Sequence, residues 1–111
     1  MARLRSDILI AALLRRAQQA GAFAVLRRRG AGEAGAIFIT VDHLDGTIDL
    51  YAPAPPRPDD EPDRARRFDI VMRGVSAEEI QNRMLREEKF DTDLWWIEIE
   101  DRAGRSFTDE G

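Results

Sequence analysis

The residues best suited to chemistry fall into two groups. Asp91, Asp93, Glu98, Glu100 and Asp101 crowd one short stretch near the end of the chain. Carboxylates at that density can hold Mg²⁺ or Ca²⁺, or share a proton in acid–base work. The second group surrounds His43, the only histidine, in Asp42-His43-Leu44-Asp45. An imidazole flanked by carboxylates can bind a metal or serve as an oriented base.

Both groups have simpler readings. Asp91-x-Asp93 begins like a calcium-binding EF-hand loop, but Trp96 stands at the sixth position, where that loop needs glycine. Asp91 and Asp93 fit a turn, and Glu98 and Glu100 fit cross-strand pairs with arginines. Turns also attract aspartate for backbone hydrogen bonding, which accounts for the surroundings of His43. A catalytic metal there would need ligands from elsewhere in the chain. Without His43 no Ser–His or Cys–His nucleophilic pair is possible. Gly30, Gly32 and Gly35 lack the Lys-Ser/Thr ending of a phosphate loop and read as turn glycines. No residue is therefore assigned a catalytic, cofactor-binding or metal-binding role, and an enzyme is the alternative reading. Arg27-Arg28-Arg29 could contact phosphates. No RNA- or DNA-binding motif frames them, and a pI near 5.0 opposes general affinity for nucleic acid.

These side chains must be held by regular elements. Ser6 and Asp7 are candidate caps for a helix whose apolar residues begin at Ile8 and which Gly21 ends. Phe23–Arg29 reads as a strand, the 30–35 stretch as a turn, and Ala36–Val41 as a strand apolar on both faces, hence central. Asp45-Gly46 is a hairpin signal leading into Thr47–Ala52. These three strands are expected to form an antiparallel meander. Residues 53–65, rich in proline and aspartate, read as a loop or mobile segment. Arg67–Met72 is a fourth strand. Ser76-Ala-Glu-Glu79 is a capping box opening a helix to about Lys89, and Leu94–Glu100 is the last strand.

The last strand carries the most information. Alternation puts Trp95, Ile97 and Ile99 on one face and Trp96, Glu98 and Glu100 on the other. With both helices on one side of the sheet, Trp96 and Phe38 would face away from them. Leaving each aromatic wet forgoes roughly 2–3 kcal/mol. A third layer is therefore expected over them: the 53–65 loop, the termini or another protein molecule. The resulting candidate interaction surface is Trp96, Phe38, Glu98, Glu100, Arg27 and Arg29, a mixture common at interfaces. The competing reading is plain packing of Trp96 on Phe38 with Arg–Glu pairs around it.

Composition sets outer bounds. The chain has 111 residues, 43% apolar and 34% charged, which fits one folded domain spanning 1–111. It has no cysteine, so it has neither a disulfide framework nor a Cys-based zinc site. Its longest apolar run, Ile8–Leu14, is too short to span a membrane. Residues 1–35 hold seven arginines against two acids, while the remainder holds ten basic and 19 acidic residues. Local neutralisation between these two regions is the simplest account of that asymmetry.

LRSDILIAALLRR, AGAIFI followed by DGTIDLYAPAP, and FDTDLWWIEIEDR together resemble a short bacterial family known only as domain of unknown function 1491. The resemblance covers nearly the whole chain. It implies a bacterial, cytoplasmic, stand-alone domain and brings no activity, cofactor or catalytic residue. The expectation is an α+β fold in the order α-β-β-β-β-α-β. It has a mainly antiparallel four- to five-stranded sheet and two helices on one face. The expected role is a non-enzymatic protein-interaction or self-associating module, possible as a homodimer. Ligand binding at the acidic group around Trp96, or nucleic-acid binding through Arg27–Arg29, are the alternatives.

Overall fold

The computed structural model describes residues 5–31, 34–55 and 66–108. Most of the 53–65 segment thus lies outside the described residues. The first helix, α1, spans Ser6–Gln19. Its N-cap is Arg5, not Ser6 or Asp7, and no side chain caps it. Ser6 is buried instead, and its Oγ donates to the Gly35 carbonyl at 2.6 Å, tying the helix start to the glycine turn. The far end closes as expected. Gly21 takes φ +85°, its N–H reaches the Gln18 carbonyl, and Ala22 N–H reaches the Ala17 carbonyl at 2.9 Å. That pair of bonds satisfies carbonyls the helix leaves open.

The strands are β1 (Phe23–Arg28), β2 (Ile37–Asp42), β3 (Ile48–Pro53), β4 (Phe68–Val75) and β5 (Trp95–Glu100). The second helix, α2 (Ala77–Phe90), lies between β4 and β5. It opens on the expected capping box: Ser76 Oγ accepts from Glu79 N–H, and the Glu79 carboxylate accepts from Ser76 N–H. The result is an α+β fold in the order α-β-β-β-β-α-β, with one five-stranded, mostly antiparallel sheet. Among the described residues no helix is long and apolar enough to cross a membrane.

Two placements differ from the sequence expectation. The sheet order is β1-β5-β2-β3-β4, so β5 enters between β1 and β2 and runs parallel to β2. The meander is therefore β2-β3-β4, not β1-β2-β3. The physical reason lies in β2 and β5 themselves: each has one wholly apolar face, carries an aromatic on the other (Phe38 and Trp96), and is buried along most of its length. Such strands belong at the centre of a sheet with cover on both sides.

The helices supply that cover from opposite sides, not from one. Leu9, Ile10, Leu13 and Ala17 of α1 pack on Ile37, Ile39, Val41, Trp95, Ile97 and Ile99. Ile80 and Met84 of α2 pack on Phe38, Leu50, Leu94 and Trp96. The consecutive indoles do project from opposite faces, and each enters a different core: Trp95 is 3% exposed and Trp96 4%. The layer over Trp96 and Phe38 is thus α2 itself. The narrow apolar stripe of α2 suits a patch of that size.

Candidate interaction face and carboxylate cluster

Strand alternation fixes which side chains share the α2 side of the sheet. Trp96, Glu98 and Glu100 of β5 project there. By register, Phe38, Thr40 and Asp42 of β2 flank them on one side. Phe23 and Val25 of β1 pair with Glu100 and Glu98 on the other. The helix covers the half of this face built around Trp96, Phe38 and Leu50. The half toward β1 stays open: Phe23 is 59% exposed and Val25 38%.

At the border of the covered half, Trp96 is held by its polar handle. Its indole N–H donates to Thr40 Oγ1 at 3.0 Å, both groups being buried. The Arg27 guanidinium lies 4.3 Å from the centre of the Trp96 ring. The same guanidinium donates to Glu98 Oε1 at 2.9 Å. Arg27 therefore both roofs the indole and offsets the first carboxylate of the open half.

Beyond it, carboxylate oxygens of Asp42, Glu98 and Glu100 lie within 4.8 Å of one another. The parallel register of β2 and β5 causes this, placing Thr40 beside Glu98 and Asp42 beside Glu100. Asp42 Oδ1 also accepts the Leu44 N–H at 2.8 Å. Among the described residues, Arg27 is the one cation paired with this cluster. Like charges on neighbouring strands repel, so the arrangement favours an arriving positive group.

His43 serves a different neighbourhood. Its Nε2 is 2.9 Å from Asp49 Oδ2, and Asp49 Oδ1 accepts the Gly74 N–H at 2.8 Å. The Asp49 hydrogen bond raises the imidazole pKa above 6.5, against a smaller opposing effect of burial. The partner is thus Asp49, one β-strand away, and not the adjacent aspartates that the sequence suggested. Asp101 is likewise separate. Its carboxylate accepts three bonds from Arg105, one from the backbone N–H and two from the guanidinium, which hold its pKa down at about 2.

The five acids that looked like one group in the sequence are therefore dispersed. Asp91 shapes the turn after α2 by accepting the Asp93 N–H, Asp101 binds Arg105, and Glu98 and Glu100 join Asp42. The three adjacent arginines also part ways. Arg27 serves Trp96 and Glu98, Arg28 donates to the Thr92 carbonyl at 2.7 Å, and Arg29 lies over Trp95. Of the six expected surface residues, Trp96 and Phe38 are buried under α2, and Arg29 sits over an indole of the other face. Glu98, Glu100 and Arg27 do border the open half. Sequence reasoning missed Phe23 and Val25, although their alternation along β1 was visible.

Similarity to known proteins covers the whole described fold. The family model described as "Protein of unknown function (DUF1491)" matches residues 4–109. The solution structure of protein Atu0922 from A. tumefaciens is 46% identical. The match covers 88% of this chain and 86% of that one, with a TM-score of 0.78. A crystal structure of a DUF1491 family protein from Caulobacter crescentus CB15 is 36% identical. Here 96% of this chain and 94% of that one are covered, with a TM-score of 0.80. An NMR structure of a DUF1491 family protein from the same organism is 37% identical over 96% and 93% of the two chains, with a TM-score of 0.79. No curated protein matches the chain.

Proposed function

We propose, from the premise that this chain belongs to the DUF1491 family of proteins of unknown function, that it is a non-enzymatic protein-interaction module of the bacterial cytoplasm. One observation carries the reading: α2 covers only half of its side of the sheet. The uncovered half joins the exposed Phe23 and Val25 to Arg27 and a row of carboxylates. Apolar side chains inside a charged rim are the composition of a protein-binding patch. Among the described residues, the other groups singled out from the sequence are engaged within the chain. His43 is tied to Asp49, Asp101 to Arg105, and each of Arg27, Arg28 and Arg29 to a partner within the chain.

Site-specific photocrosslinking in the native cell tests it. Benzoylphenylalanine replaces Phe23 in one variant and Leu85, exposed on α2, in another. The reading expects a discrete protein adduct from position 23 and none from position 85. Equal yields, or none at either position, contradict it.

A second reading has one specific observation in its favour, the convergence of Asp42, Glu98 and Glu100 on adjacent strands. Hard divalent cations favour carboxylate oxygens at that density. Mg²⁺, Mn²⁺ or Ca²⁺ should then raise the melting temperature of the protein, but not that of Glu100→Gln. A melting curve indifferent to all three ions removes this reading.

A further inference from the structure

The open half of the α2 side ends at β1, which is an edge of the sheet. Which of its backbone groups are unused follows from β5. Trp95 N–H donates to the Ala36 carbonyl at 2.8 Å, and Asp101 N–H to the Asp42 carbonyl at 3.0 Å. In a parallel ladder, alternate residues turn both backbone groups to the same neighbour. Trp95, Ile97, Ile99 and Asp101 therefore address β2, while Trp96, Glu98 and Glu100 address β1. Phe23 and Val25, opposite Glu100 and Glu98, spend their N–H and C=O on β5. Ala24 and Leu26 turn theirs outward.

A register irregularity follows between Leu26 and Arg28. The regular free edge is thus short, and its outward groups alternate around Val25. That stretch is complementary to itself. If two copies meet antiparallel about a two-fold axis at Val25, each Ala24 faces a Leu26 of the other copy. All four outward N–H groups and all four outward carbonyls then find partners. On the α2 side, Val25 meets Val25, and Phe23 meets the Arg27 position of the other copy. The charges agree with this orientation. The Phe23 end of β1 lies beside Glu100, and the other end carries Arg27. The opposite edge strand, β4, has two register shifts against β3, which makes it a poor template for further addition.

We infer that the partner of this surface is a second copy of the chain. It docks by antiparallel pairing of β1 with β1 and joins two five-stranded sheets into one. This rests on the interaction reading above and names its partner. An interface of a few residues per copy is small, so the dimer is weak and concentration-dependent.

The absence of cysteine from the chain makes a clean test available. Val25 and its counterpart form a pair without mutual hydrogen bonds, with Cα atoms about 4.5 Å apart, inside disulfide range. Val25→Cys at ~100 µM should oxidise rapidly to a covalent dimer, while Phe23→Cys, far from its own copy in this register, should stay monomeric. Adding Ala24→Pro to Val25→Cys removes one outward N–H that the monomer does not use. It should slow crosslinking at least tenfold with the far-ultraviolet circular dichroism unchanged. Crosslinking of Phe23→Cys as fast as Val25→Cys, or crosslinking that ignores Ala24→Pro, overturns strand pairing. A heterologous adduct at position 23 with no Val25→Cys dimer overturns the second copy as partner and leaves the interaction surface standing.

Discussion

The Trp96 indole N–H and the Thr40 hydroxyl meet at 3.0 Å inside the core beneath α2. Trp96 is thereby a buried donor with one protein acceptor. Thr40→Val keeps the shape and removes that acceptor. Leaving the N–H unpaired costs about 1–3 kcal/mol, or a fall in melting temperature of at least ~4 °C for a domain of this size. Trp96→Phe in the Thr40→Val background should cost less than in the wild type, because no orphaned donor then remains. Thermal melts of the four proteins form the cycle, and strict additivity would show that the bond carries no weight.

The central strands explain what could be read from the sequence and what could not. Alternation in Trp95-Trp96-Ile97-Glu98-Ile99-Glu100 sends the two indoles to opposite faces, and the structure has them there. The capping box at Ser76 fixes the start of α2 from local chemistry alone. Neither signal says on which side of a sheet a helix will lie. That depends on the parallel insertion of β5 beside β2, a long-range pairing without a local signature. The carboxylate cluster was half visible: Glu98 and Glu100 are two residues apart, but Asp42 reaches them only through that same register. Ser6 reads locally as a cap. It is used instead to bind the Gly35 carbonyl, because tertiary burial outweighs the local preference.

His43 makes stability depend on pH in one direction. Asp49 raises the imidazole pKa in the folded state, so the fold prefers the protonated form. That contribution is complete below the unfolded value near 6.5 and disappears as pH rises through the folded value. In urea titrations from about pH 5 to pH 9, the stability gap between wild type and His43→Gln should shrink as pH increases. A gap that is constant, or that widens with pH, is inconsistent with the observed pair.

Asp101 acts at the acid end, with the opposite sign. Arg105 lowers its pKa from 3.8 to about 2. Its contribution is present above 3.8 and is lost as pH falls through about 2. Asp101→Asn should therefore be less stable than wild type at neutral pH, and the difference should vanish under strong acid. Arg105→Lys should also weaken the wild-type behaviour, since lysine cannot reproduce the two-bonded guanidinium geometry.

Gly30 and Gly35 pack closely against Asp93 and Trp95. A methyl group at Gly30 would meet the Asp93 carbonyl oxygen and lie 2.5 Å from the Trp95 ring. A methyl at Gly35 would meet the same carbonyl. Backbone cannot yield there as a flexible side chain would, so Gly30→Ala and Gly35→Ala should each lower stability by roughly 1–3 kcal/mol. Gly46→Ala, with open space around it but a φ of +91°, should cost only the strain of that conformation, about 1–2 kcal/mol. Chemical denaturation of the three variants ranks them, and a Gly30→Ala protein as stable as wild type would show that this packing is looser than the structure has it.

Amide hydrogen exchange along β1 tests the pairing of two edge strands most directly. The N–H groups of Phe23 and Val25 are used within the sheet and should be protected at every concentration. Those of Ala24 and Leu26 should exchange freely at ~20 µM and gain at least fivefold protection near ~1 mM, as mass action fills the dimer. Fast exchange of Ala24 and Leu26 at both concentrations would contradict the account.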